Sequence, residues 1–212
     1  MNWQHLKNSF LNNYKRTFAV FFSSLALGFV IGSFIVNAII SQGMDLVSNI
    51  LNTLLLTVAA IYLLVGNTRG TFLAYRGLLI FVFYVLWDFG DFTILSVINV
   101  ISSLGSNPLW ITITVFLLIF AICALVSGIF CYIRTRQYLI EKYAKYEMVR
   151  LWALLFMIFV LLTNGAVVAY SFYFLVSQVS PVSIFLTLLN PLAMMALGVA
   201  SFFSVLRLKS NF

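Results

Sequence analysis

Six runs of twenty or more apolar residues, separated by short polar connectors, leave this chain few ways to fold. The runs cover about residues 17–40, 46–66, 77–104, 109–133, 151–178 and 182–206. About 20 apolar residues rise about 30 Å as an α-helix, the thickness of a bilayer's hydrocarbon core. Inside that core every backbone N–H and C=O needs a partner from the protein itself, so a chain crosses as helices or as a closed barrel. Barrel strands alternate apolar and polar side chains over about ten positions, and these runs do not alternate. Composition points the same way: 63% of the 212 residues are hydrophobic and 8% are charged, where a soluble domain carries about 25% charged residues. A water-soluble fold of this length buries only about 70% of its surface, too little to hide so much apolar area. The expected class is all-α: a polytopic helical membrane protein, 1–212 forming one domain with six transmembrane helices.

The placement of Lys and Arg sets the expected orientation. Of twelve basic residues, three precede span 1 (Lys7, Lys15, Arg16), two lie between spans 2 and 3 (Arg69, Arg76), and five lie between spans 4 and 5 (Arg134, Arg136, Lys142, Lys145, Arg150). Two follow span 6 (Arg207, Lys209), and the three remaining connectors hold none. All twelve therefore fall on one side. The cytoplasmic side attracts such charges, so both ends are expected there, in a plasma membrane and, as no Asn-x-Ser/Thr sequon occurs, in a bacterial one. The opposite connectors, 41–45, 105–108 and 179–181, are so short that the helices they join must be antiparallel neighbours, giving three hairpins with loosely similar Ser- and Gly-containing turns. Residues 1–16 read as a short interfacial segment, and span 1 is too long for a signal-peptide core.

The longest connector, 134–150, has no Gly or Pro and pairs Glu141 with Lys145 four residues on, so it reads as a helix extending span 4 or lying at the interface. Its tyrosines (Tyr138, Tyr143, Tyr146, with Tyr132 before them) suit the headgroup layer. It is an expected anchor and a candidate docking helix for a protein partner.

Intramembrane polar residues are the candidate functional positions. Asp88 and Asp91 stand three apart on one helical face, and a carboxylate in the bilayer costs several kcal/mol unless paired, protonated or hydrated. The competing reading places both acids near an interface, with Gly90 breaking span 3 and an amphipathic segment through Thr93, Ser96, Asn99 and Ser103 beyond it. Asn52 lies in a stripe with Asn49, Thr53 and Thr57 on span 2, and Asn190 precedes Pro191 in span 6. Together with Asp88 and Asp91 they could line a polar cavity; alternatively they hydrogen-bond across helix contacts, as do Asn37 and Asn164. Ser24, Gly28 and Gly32 recur every fourth residue on span 1, a small-residue stripe that lets another helix approach closely.

Other chemistry is expected to be absent. The net charge of +7 is spread between spans and forms no nucleic-acid-binding face. Cys123 and Cys131 sit in one apolar run without His or acid neighbours, and the one histidine, His5, lies in the leader, so no metal, cofactor or disulfide is implied. An enzyme would need a nucleophile, an acid–base pair or a metal cluster. Two functions are compatible: a small permease or membrane subunit of a multi-component transporter, or a non-transporting assembly, immunity or regulatory partner acting through helix–helix contacts.

Overall fold

The computed structural model describes residues 3–40, 44–69, 71–102, 108–141, 145–175 and 181–208. It has six long helices: α1 (Trp3–Ile40), α2 (Met44–Arg69), α3 (Thr71–Ser102), α4 (Pro108–Arg136), α5 (Tyr146–Leu175) and α6 (Pro181–Leu208). Each is long and apolar enough to cross a bilayer, and the described residues contain no strand. This is the make-up of a multi-pass membrane protein.

Several boundaries differ from the sequence reading for local reasons. The leader is not a separate segment: α1 starts at Trp3, since no Gly or Pro occurs before Gly28 to stop the helix. Tyr14 and Phe18 then pack on Phe203 of α6, with ring centroids 6.3 and 5.2 Å away. Pro108 and Pro181, assigned above to turns, are the first residues of α4 and α6. The first helical position needs no N–H, and proline's fixed φ suits it. α3 runs unbroken through Gly90. A glycine costs a helix interior about 1 kcal/mol, less than freeing backbone groups in an apolar environment. The connector after span 4 does extend that span, as a π-helical turn at Gln137–Glu141. The Lys145 carbonyl then accepts the Met148 N–H at 3.0 Å at the start of α5. Tyr138 and Tyr146 face each other at 5.9 Å, while the Glu141 side chain lies outside the described residues.

The three expected hairpins pack as pairs and also close into a ring: each helix touches the next, and α1 returns against α6. α6 leans inward to touch α2 and α3 as well. It is the central helix, with 61% of its spanning window buried against at most 39% for any other. Alanines at the crossings (Ala26, Ala59, Ala60, Ala121, Ala193, Ala200) let the backbones approach, and Phe81, Tyr84, Phe156, Leu197 and Met194 fill the space between. Phe81 and Phe156 meet edge to face at 5.8 Å, the offset geometry aromatic rings prefer.

The closest approach is between α2 and α3. Gly66 lies against the backbone of Leu73 and Ala74, and Gly77 against Tyr62 and Leu63. These pairs define the antiparallel register of α2 and α3. The α1–α6 register is equally consistent: Gly32 opposes Leu189, and the Lys15 ammonium reaches the Leu206 carbonyl at 3.3 Å. The start of α1 and the end of α6 therefore lie at one end of the bundle, the basic end.

Candidate polar site within the bundle

Carried eleven residues beyond Leu63 and Gly77, the α2–α3 register sets Asn52 level with Asp88. α2 and α6 run parallel, with Asn67 bonded to Ser204. Fifteen residues back along both, Asn52 is level with Leu189, next to Asn190. The register thus brings three of the four candidate polar residues to one depth, from three adjacent helices.

Tyr84, which sequence reasoning did not single out, joins two of them. It is fully buried, one turn before Asp88 on α3. Its hydroxyl donates to Asp88 Oδ1 at 3.4 Å, and the Asn190 side chain lies near the same hydroxyl. An O–H···O bond is normally about 2.7–2.8 Å, so this contact is long and weak. Asp88 is half-buried, while Asp91, one turn further out, is exposed beside exposed Trp87 and Ile94. The charged neighbour that bears on Asp88 is Asp91, another acid. The nearest basic residue along α3, Arg76, is twelve positions away, about 18 Å of helix. Pro191, inside the continuous helix α6, has no N–H to give the ladder beside Asn190 at the same depth. Asn52 is half-buried on the facing helix.

Of the other intramembrane polar residues, several satisfy their own helix instead of bridging to another. Ser23 donates to the Ala19 carbonyl at 2.6 Å, Thr57 to Thr53 at 2.7 Å, Thr163 to Phe159 at 2.8 Å and Asn164 to Val160 at 2.9 Å. This is the usual back-bonding to the carbonyl four residues before. Asn37 and Asn49 have side chains outside the described set. In the small-residue stripe of α1, Gly32 touches the Leu189 side chain, whereas Ser24 and Gly28 face outward and a Cβ on Gly28 would meet nothing within 4 Å.

A second polar cluster, at the basic end, was not legible as such. Asn67 is 1% exposed. Its amide nitrogen donates to the Leu63 carbonyl at 2.8 Å and to Ser204 Oγ at 2.7 Å, and Ser204 donates onward to the Ala200 carbonyl at 2.7 Å. Arg207 Nη1 donates to both the backbone oxygen of Asn67, at 2.7 Å, and its Oδ1, at 3.0 Å. Arg16 holds the next carbonyl, Thr68, at 3.0 Å, while Lys15 and the Tyr146 hydroxyl hold that of Leu206 at 3.3 and 3.2 Å. The last carbonyls of a helix lack helical partners and carry its negative dipole end, so cations are favoured there. Basic residues that mark the sidedness of the chain also cap α2 and α6. Among the described residues, no three His, Cys, Asp or Glu side chains come together as a metal site would need. No protein-family model, curated protein or solved structure matches this chain.

Proposed function

We propose that this is a small permease, or the membrane subunit of a multi-component transporter, in which Asp88 takes up a proton or a monovalent cation. The observation that carries this reading is a half-buried carboxylate held by one long hydrogen bond from a buried tyrosine, with another acid as its charged neighbour. A half-buried carboxylate in such surroundings is protonated, hydrated or paired with a cation, and this reading assigns it the proton or the cation. Asn190 beside Pro191, and Asn52 at the same depth, supply neutral oxygens of the kind that coordinate such ions. In this reading the basic end faces the cytoplasm of a bacterial plasma membrane, and the protein performs no covalent chemistry.

The test is flux in proteoliposomes carrying a trapped pH- or sodium-sensitive dye, under an imposed membrane potential. Asp88→Asn keeps the shape and removes the charge. It should lower proton or sodium flux at least about tenfold, the effect of about 1.4 kcal/mol. Tyr84→Phe should lower it less, and exposed Asp91→Asn least. If Asp88→Asn combined with Asp91→Asn leaves both fluxes at the wild-type level, the reading is abandoned.

The second reading, a non-transporting membrane partner, is favoured by the outward-facing Ser24 and Gly28, which leave a lane on α1 that no described residue fills. Recovery of only monomer after mild detergent extraction and cross-linking would count against it.

A further inference from the structure

That lane runs up to a charged groove. At the basic end, between α1 and α2, a surface groove is lined by Asn13, Arg16, Thr17 and Thr68, and then by Val20, Phe21 and Ser24. The first four lie at the ends of the spanning windows Asn13–Val36 and Ile50–Arg69, the level of lipid headgroups. The other three lie one to two turns deeper. Polarity therefore falls along the groove as it falls along a phospholipid, from headgroup to chain. We propose that this groove binds an anionic phospholipid, its phosphate at Arg16 and one acyl chain along Val20, Phe21 and Ser24 toward Gly28.

Three observations support this occupant. The first is charge. Arg16 and Arg207 hold the consecutive carbonyls Thr68 and Asn67, so two guanidiniums meet at the end of α2, with exposed Arg69 beside them. No acidic side chain is among the described residues lining the groove. A phosphate placed there relieves repulsion between cations, and Arg matches its oxygens with a planar fork of donors. The second is anchorage. Arg16 lines the groove and is anchored there by the bond from its Nη2 to the Thr68 carbonyl at 3.0 Å. The third is the lower wall. Phe21 is 58% exposed, Ser24 and Gly28 are exposed, and nothing lies within 4 Å of a Cβ built on Gly28. Phe21, Ser24 and Gly28 thus form an outward-facing strip along one face of α1. Basic pockets between transmembrane helices are a recurring form of lipid headgroup site.

The experiment uses the purified full chain in neutral detergent and follows its thermal unfolding midpoint. Short-chain phosphatidylglycerol, phosphatidylcholine and inorganic phosphate are titrated separately. Phosphatidylglycerol should raise the midpoint at roughly fivefold lower concentration than phosphatidylcholine, the preference one arginine supplies near a membrane surface. Arg16→Gln should erase that preference. Because Arg16 also caps α2, a second variant keeps the test decisive. Ser24→Trp faces outward, touches no charge and fills the lane, so it should fold and yet need more phosphatidylglycerol for the same shift. Equal response of the wild type to both lipids would overturn the proposal. So would a folded Arg16→Gln protein that keeps the preference, or a Ser24→Trp protein with unchanged lipid response. Inorganic phosphate matching phosphatidylglycerol would identify a free-anion site and overturn the lipid assignment.

Discussion

Replacing Gly66 with alanine is expected to destabilise the bundle by about 3 kcal/mol or more, the upper end of overpacking penalties. Most overpacked sites recover part of the cost because a neighbouring side chain rotates away. Here the atoms in the way are the backbone of Leu73 and Ala74, so relief requires α2 and α3 to separate. Gly77→Ala should act similarly but less severely, its Cβ falling 2.7 Å from the Leu63 nitrogen and 2.9 Å from the Leu63 Cγ. The control is Gly28→Ala. With nothing within 4 Å of its Cβ, it should be neutral or stabilising by up to about 1 kcal/mol through helix propensity. The measurement is the folded fraction on size exclusion and the unfolding midpoint of the three variants in one detergent. A Gly66→Ala protein that melts with the wild type, or a Gly28→Ala protein that melts well below it, would mean that the α2–α3 approach is not as close as described.

That contrast shows what the sequence could and could not convey. Helix number and class were legible because hydrocarbon leaves the backbone no alternative to helix over runs of that length. Which small residues carry tight packing was not. Ser24, Gly28 and Gly32 looked like a contact face because they repeat every four residues, yet a Cβ on Gly32 would meet Leu189 of α6 while Ser24 and Gly28 are exposed. Gly66 and Gly77 lie eleven apart across a connector and look like loop glycines. Each packs on the facing helix because α2 ends at Arg69 and α3 begins at Thr71, so the two helices meet at once.

The candidate site was legible in part for the same reason. Asp88 draws attention because charge is rare in a bilayer. Its depth relative to Asn52 and Asn190 depends on helix register, which close contacts at the far end of α2 and α3 set. Tyr84 was missed because one tyrosine in an aromatic-rich apolar run carries no distinguishing pattern; only its position one turn before Asp88, facing α6, makes it a partner. For the polar stripe, periodicity cannot separate a hydroxyl that bridges helices from one that bonds its own carbonyl. Thr57 does the latter.

Asn67 was overlooked because, followed by Thr68 and Arg69, it looks like the start of a connector. The structure makes it the link between α2 and α6, and Asn67→Leu should lower stability by about 2–3 kcal/mol. Leucine has a similar volume, so the loss is chiefly in hydrogen bonding. It removes one bond from a guanidinium, of a kind contributing about 1.5–3 kcal/mol, and two neutral bonds, to Ser204 and to the Leu63 carbonyl, of about 0.5–1.5 kcal/mol each at most. Burying the leucine offsets part of this. Neutral hydrogen bonds inside membrane proteins average only about 0.6 kcal/mol, so Ser204→Ala alone should be mild. The larger effect comes from the charge and from its place at a helix end, where Arg207 also holds the Asn67 carbonyl at 2.7 Å. A cycle of Asn67→Leu, Arg207→Leu and the double variant, followed by denaturant unfolding in micelles, separates the two contributions. Coupling of about 1–2 kcal/mol is expected, because each single change deprives the other residue of a partner. Simple additivity would mean that Arg207 is held by the backbone carbonyl alone. Asp88→Asn, at the other depth, should leave this melt unchanged, since it alters neither the register nor the caps that fix it.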